Sequence, residues 1–274
     1  MQRSIEATRK VLDINLMTQL HADEHLEVDH ALDTKLPLSD ILCVVNAFTL
    51  TRKDLITLSP NTWLNDEIMN SILHILSVRA AATRAVTSSP KICILNTFFF
   101  ALLSSAPAAA AFHYNYAAVS RVTKTLQKNC DYDIIIIPIH VNGNHWAIAV
   151  IYVCEHRILY FDSLVKNDGA PVLKLLERFV IDAEIHKSRV GASAVERSHG
   201  HHIGWTLENG RVAQGGLLPK QTNLFDCGVF ALMVASSIAS QTIMGFSHRD
   251  IPVVRRRLAA ILLRWSDDHH VLLS

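Results

Sequence analysis

Residues 229–238 are hydrophobic on nearly every side and follow the polar, turn-prone run 221–226. That switch predicts a buried helix from residue 227 to about 240, because a helix apolar all round must be enclosed by protein. Upstream, Asn65-Asp66-Glu67 offers a polar cap and an acidic first turn ahead of the stripe Ile68, Ile72, Ile75 and Leu76. This predicts a helix through about residue 78. Helical periodicity also predicts short helices over 120–128 and 172–181 and a basic amphipathic helix over 252–265. In the centre, residues 133–139, 145–153 and 157–161 are rich in Ile, Val and aromatics. Asn142-Gly143-Asn144 and Cys154-Glu155-His156 separate them as tight connections, which predicts an antiparallel meander buried on both faces in its middle.

The pattern divides the chain into a polar, helix-prone extension over residues 1–40, ending at Lys35-Leu36-Pro37, and one α+β domain over 41–274. The domain is expected to have a mostly antiparallel central sheet, a buried helix starting at Cys227 and a glycine-rich loop insertion over 188–216. With 274 residues, half of them apolar, a large core is within reach. The net charge of +1 gives no cause for non-specific attraction to nucleic acid or acidic membrane. The first residues lack the continuous apolar stretch of a signal peptide, and the low-polarity run 98–112 is broken by Ser104, Ser105 and Pro107. Five cysteines, odd in number and without a CxxC pair, argue against a disulfide framework or a structural zinc site. A soluble protein in a reducing, intracellular compartment is expected, without nucleic-acid or membrane partners.

Cys227 stands where a thiol becomes reactive, between a polar loop and the start of a helix whose unpaired N–H groups and dipole favour a thiolate. A catalytic thiol needs a base and a group to orient that base. His145 opens the second central strand and Asp162 ends the third, so the hairpin brings both to its open end. His145 then reads as the base and Asp162 as the acceptor of its other ring N–H. Gln221 and the Cys227 backbone N–H would be donors to an oxyanion. Taken singly, Cys227 reads more readily as an inert core residue and His145 as structural, while Asp162 alone fits a turn residue and Gln221 a surface polar. Their order along the chain, each at an element edge, brings an acyl-transfer site level with those readings.

Several separated segments carry a resemblance. They are Thr51-Arg52-Lys53-Asp54-Leu55, Trp63-Leu64-Asn65-Asp66-Glu67-Ile68-Met69-Asn70, Asn96-Thr97-Phe98-Phe99-Phe100, Pro138-Ile139-His140, His145-Trp146, Phe161-Asp162-Ser163 and residues 221–230. In order and content they resemble the ubiquitin-like protein proteases, the sentrin- or SUMO-specific branch of the papain-like cysteine peptidases, over about residue 41 to the C-terminus. The resemblance implies a papain-like fold, a His145–Asp162–Cys227 triad and Gln221 in the oxyanion hole. It also implies that Trp63 and Trp146 flank a tunnel for the modifier's terminal Gly-Gly, where only residues without side chains pass, and that Asp66 contacts the modifier. Asp66 reads equally as a helix-start residue. In a regular strand His145 and Trp146 point to opposite faces, so both reach one cleft only if the strand begins irregularly.

The implied activity is cleavage after the C-terminal Gly-Gly of SUMO, on conjugates or precursors, by a monomer needing no metal or organic cofactor. Nedd8- or ubiquitin-directed cleavage, an acetyltransferase using the same triad, and a non-catalytic modifier-binding module are the alternatives. Leu224 and Phe225 depart from the small or polar residues the family carries there and make the surface beside Cys227 more apolar. Ser198-His199-Gly200-His201-His202 lacks paired ligands at metal spacing and reads as an adventitious cluster. Arg255-Arg256-Arg257 reads as the solvated basic face of a helix rather than a nuclear signal.

Overall fold

The computed structural model describes residues 15–105, 113–128, 132–164, 169–183, 204–210, 212–213 and 216–265. In chain order the helices are α1 (Ala22–Ala31), α2 (Arg52–Ile56), α3 (Asp66–Val86), α4 (Phe98–Leu103), α5 (Ser120–Lys128), α6 (Ala170–Asp182), α7 (Cys227–Ala239) and α8 (Ile251–Arg264). The strands are β1 (Ile41–Val45), β2 (Phe48–Thr51), β3 (Ile92–Ile94), β4 (Ile134–Val141), β5 (His145–Tyr152), β6 (Arg157–Phe161), β7 (Thr206–Asn209), β8 (Val212–Ala213) and β9 (Gly216–Leu217). The histidine cluster 198–202 and most of the 188–216 insertion lie outside the described residues.

Strands β3 to β7 form one sheet in sequence order. Its centre is the expected antiparallel meander, β4-β5-β6, whereas the short outer strands β3 and β7 pair in parallel. The sheet is therefore mixed, with antiparallel pairing confined to its middle. Asn142 and Gly143 both take positive φ, 51° and 73°, and the Asn144 N–H donates to the Val141 carbonyl at 3.3 Å. This is the mirror-image turn that matches strand twist, and it closes the β4–β5 hairpin. Alternation along β5 sends Trp146, Ile148 and Val150 into one core and Ala147, Ala149 and Ile151 into the other. The first core lies under α3, α7 and α8; α4 and α6 cover the second.

Every residue of α7 is buried, as its all-round apolar sequence requires, and the helix packs on β5 and α3. Enclosing a large side chain such as Phe230 or Leu232 contributes about 1.5–3 kcal/mol. Its start is therefore a fixed point. Gly228 permits the closest approach, since a Cβ there would lie 3.1 Å from three atoms of the Leu64 side chain. Helix α3 runs eight residues past the predicted end at Val78, through an alanine-rich stretch in which Ala80 and Ala82 are buried. Alanine's helix propensity carries it there without a strong apolar stripe.

The described part of the extension, from residue 15, is packed onto the domain. Val28, Ala31 and Leu16 belong to the first core. Arg52, buried, donates to the His30 and Ala31 carbonyls at the end of α1, to the Pro37 carbonyl and to Asp40. On the other side of α1, Arg257 meets Glu24 at 2.9 Å and Arg264 meets Asp23 and Glu27 at 2.7 Å. Arg256 meets Asp29 at 2.7 Å. The basic face predicted to be solvated is thus turned toward acidic α1 and, at Arg255, into the core. No helix among the described residues is long and apolar enough to cross a membrane.

Candidate active site

The β4–β5 ladder runs to its end at Val141↔His145, but the β5–β6 ladder stops at Ile148↔Phe161. Beyond that point the two strands part, and the start of α7 stands at the opening. Continuing the register puts Asp162 beside Ala147, on the same face as His145 and one step diagonally from it. The result is a hydrogen bond of 2.8 Å between His145 Nε2 and Asp162 Oδ1, both groups buried. Asp162 is itself fixed by the Leu164 N–H, which donates to the same oxygen at 2.8 Å.

With Nε2 engaged by Asp162, Nδ1 is the ring nitrogen left for Cys227, whose side chain is near enough to act on the His145 pKa. Burial alone would lower the pKa of His145. Its interactions with Asp162 and Cys227, and the charges of both, outweigh that cost and raise it to about 9. Two other described thiols, Cys43 and Cys93, lie away from the site. Burial, with a smaller effect of Asp54, pushes Cys43 up to about 11, and burial pushes Cys93 up to about 12. Neither is paired with an imidazole as Cys227 is, and a thiol so displaced is a poor nucleophile at neutral pH.

Gln221 is buried and held at three points. Its backbone N–H donates to the Ser163 carbonyl at 3.1 Å, its Oε1 accepts from the Ser163 hydroxyl at 2.6 Å, and its Nε2 donates to the Asn223 carbonyl at 2.7 Å. Because the Asn223 carbonyl can only accept, the amide orientation is determined: nitrogen toward the loop before Cys227, oxygen toward the Ser163 hydroxyl. One Nε2 hydrogen is left over from the bond to Asn223. Ser163 was visible only as part of the Phe161-Asp162-Ser163 match; its adjacency to Asp162 lets one strand end position both a histidine and an amide.

The loop before the thiol is an Asx-type turn. Asn223 Oδ1 accepts from the Phe225 and Asp226 N–H groups at 3.0 and 3.1 Å, and its Nδ2 donates to Asp226 Oδ2 at 2.7 Å. Leu224 is left on the surface, 56% exposed, and Phe225 packs against Trp63 with ring centroids 6.0 Å apart. Trp63 is half-exposed, and its Nε1 donates to the Leu224 carbonyl at 2.6 Å. The apolar departure at 224 and 225 thus forms one surface with Trp63 beside Cys227.

Trp146 takes a different place. The strand starts regularly, with His140↔Trp146 and Val141↔His145 paired in turn, so the irregular beginning expected from sequence is absent. His145 and Trp146 occupy opposite faces. Trp146 is 3% exposed, stacks on His140 with centroids 4.2 Å apart, and donates from Nε1 to the Leu64 carbonyl at 2.9 Å. It therefore holds the residue next to Trp63 rather than facing open solvent. Asp66 sits in the first turn of α3, where Asn65 is the cap, its side chain accepting from the Ile68 N–H at 3.1 Å. The Asp66 charge acts on His140. Asn65 is further tied to Asp54 at 2.9 Å, and Asn70 and Thr97 exchange two buried hydrogen bonds at 3.0 and 2.9 Å. Much of the motif set is therefore structural. Among the described residues no group of three metal-ligating side chains is assembled.

Comparison with known proteins places this geometry in context. Residues 62–264 match the model of the Ulp1 protease family, C-terminal catalytic domain. A sentrin-specific protease of Caenorhabditis elegans is 32% identical across 78% of this chain and 27% of its own length. The putative ubiquitin-like-specific protease 1B of Arabidopsis thaliana is 32% identical across 77% of this chain and 57% of its own. Human sentrin-specific protease 2 is 26% identical across 94% of this chain and 38% of its own. The chain thus spans well under two thirds of the length of these relatives. Its fold is similar to that of the C-terminal Ulp1 protease domain solved in complex with Smt3, the yeast ortholog of SUMO. The TM-score is 0.69 at 24% identity, over 91% of this chain and 98% of that one. A family match that starts just before Trp63 and ends with α8, on a fold that brings His145, Asp162, Gln221 and Cys227 to one sheet opening, makes this chain a member of the Ulp1 protease family.

Proposed function

We propose that the protein is a cysteine peptidase that cleaves after the C-terminal Gly-Gly of a SUMO-type modifier, with residues 41–274 as the catalytic domain and residues 1–40 as an extension to it. The observation that carries this reading is the buried 2.8 Å contact of His145 with Asp162, with the Cys227 thiol, at the start of α7, near enough to the same imidazole to raise its pKa. Cys227 Sγ attacks the carbonyl carbon of the terminal glycine, and the oxyanion is received by Gln221 Nε2 and the Cys227 N–H. Collapse of the tetrahedral intermediate breaks the C–N bond as His145 gives its proton to the departing amine. Water, deprotonated by His145, then cleaves the thioester and releases the modifier's carboxylate. Asp162 keeps the imidazole oriented throughout.

In this reading Trp63 is the exposed wall over the modifier's tail and Trp146 its buried backing; a narrow channel along Trp63 would accept glycine by sterics and keep water from the scissile bond. Asp66 is proposed as a modifier contact at the channel mouth. The relatives are named for sentrin and ubiquitin-like substrates, which supports SUMO ahead of other modifiers. No metal or organic cofactor takes part in this scheme. A monomer acting in the nucleus or cytoplasm fits it, where a free thiol is maintained.

The test is to challenge the protein with SUMO, Nedd8 and ubiquitin carrying C-terminal thiol-reactive groups, beside Cys227→Ser. Labelling of Cys227 by SUMO ahead of the other two is expected. No labelling by any modifier, or labelling that survives the substitution, overturns the proposal.

A further inference from the structure

Arg255 lies in α8, far in sequence from both segments it touches, and is 3% exposed. Its guanidinium is used completely. Nε and Nη2 donate to Asp226 Oδ1 at 3.0 and 2.8 Å. Nη1 donates to the carbonyls of Thr57 and Ser59, both at 3.1 Å, and Nη2 to those of Thr62 at 2.8 Å and Phe225 at 3.2 Å. One planar cation thus joins the segment leading to Trp63 with the two residues before Cys227.

We propose that Arg255 is a positioning residue that locks the nucleophile loop and the Trp63 loop into one unit, so that Cys227 and the wall over the substrate tail are set together. This rests on the reading of Cys227 as nucleophile. The geometry supports it from three directions. First, the lock is continuous with the oxyanion donor, because Asp226 Oδ2 accepts from Asn223 and the Asn223 carbonyl accepts from Gln221 Nε2. Second, the two loops meet again above the guanidinium, where Trp63 Nε1 reaches the Leu224 carbonyl and the ring packs on Phe225. Third, the Asp226 carboxylate sits one residue before Cys227 without capping the helix. Unopposed, its charge would work against negative charge on Sγ; Arg255 neutralises it.

Lysine cannot substitute. Its ammonium offers three donors from one point, whereas the acceptors here are spread around a plane in two loops. A residue that merely filled the core would affect the melting temperature and leave the kinetic constants alone at temperatures where the protein is folded. A positioning residue moves both loops and both kinetic constants.

The experiment uses the full chain carrying Arg255→Met, Arg255→Lys or Asp226→Asn, each checked for folding by circular dichroism. Three quantities are measured well below melting: alkylation of Cys227 by iodoacetamide, kcat and KM on a SUMO C-terminal coumarin amide, and hydrogen exchange over 57–64 and 221–227. For Arg255→Met, alkylation and kcat are expected to fall at least tenfold, KM to rise severalfold, and exchange to increase in both segments together; Arg255→Lys should be intermediate. Folded Arg255→Met with rates and KM within twofold of wild type, or faster exchange in one segment only, overturns the proposal. Should Arg255→Met fail to fold, the same twofold criterion applied to Arg255→Lys and Asp226→Asn decides. A wild type that cleaves no SUMO amide, but whose Cys227 alkylation responds to these substitutions as described, refutes the substrate assignment and supports the lock.

Discussion

Replacing Asp162 with asparagine keeps the shape of the side chain and removes its charge from the 2.8 Å contact with His145 Nε2. In the native site His145 titrates at about 9, against an ordinary 6.5, because Asp162 and Cys227 together overcome the effect of burial. At pH 7.5 a group with a pKa of 9 is about 97% protonated and one with a pKa of 6.5 about 9%, so loss of the elevation lowers the imidazolium population about tenfold. Asparagine also lets the ring take either tautomer, which adds to the loss. The assay is turnover of a SUMO C-terminal coumarin amide between pH 6 and 10.5. Wild-type activity should fall on the alkaline side with an apparent pKa of about 9, as His145 loses the proton it gives to the amine. For Asp162→Asn that limb should move toward 6.5, and kcat/KM at pH 7.5 should drop at least about tenfold. Stability carries the same signature. Since the folded-state pKa lies above the unfolded one, the contribution is complete below about pH 6.5 and lost as pH rises through about 9, with a size on the order of 3 kcal/mol. A variant whose alkaline limb stays near 9, with kcat/KM within twofold of wild type, refutes the reasoning.

Ser163→Ala removes the 2.6 Å bond that orients the Gln221 amide; kcat should fall about tenfold while iodoacetamide alkylation of Cys227, which forms no oxyanion, stays unchanged. Gly228→Ala places a Cβ 3.1 Å from Leu64 at the start of a helix that cannot shift, and chemical denaturation should show a loss of about 1–3 kcal/mol with reduced turnover. Deleting residues 1–40 strips Val28 and Ala31 from the core and removes the acceptors of buried Arg52, so thermal unfolding should occur at a clearly lower temperature or folding should fail. Cys227→Ala removes one of the partners that raise His145, and its imidazole resonance should titrate below 9 while staying above 6.5 through Asp162.

The strongest periodic signals were legible in the chain itself. Strand β6 and the start of α7 begin where predicted, α5 has its predicted limits, and α8 is displaced by a single residue. The outer strands were not legible, because β3 and β7 are three and four residues long and pair in parallel with segments far away in sequence. Alternation over so few residues carries no signal. The site was half legible. The strand ends of His145 and Asp162 placed them together, while the early stop of the β5–β6 ladder, which opens room for α7, has no mark in the sequence.

By itself the sequence determined where the longer helices and the central strands lie, and which side chains can do nucleophilic chemistry. Those are local properties, set by periodicity and residue type. Only the tertiary structure decided how the polar groups pair. Arg255, on an amphipathic helix, reads from sequence as solvated, yet packing carries it under two loops nearly 30 and 200 positions away, where burial requires that every donor find an acceptor. The same holds for Trp146, whose neighbour His145 reaches the thiol while its own ring turns inward to hold Leu64. Strand alternation puts Trp146 in the core shared with α7 and His145 on the other face; only at the open end of the sheet does His145 come near the first residue of that helix.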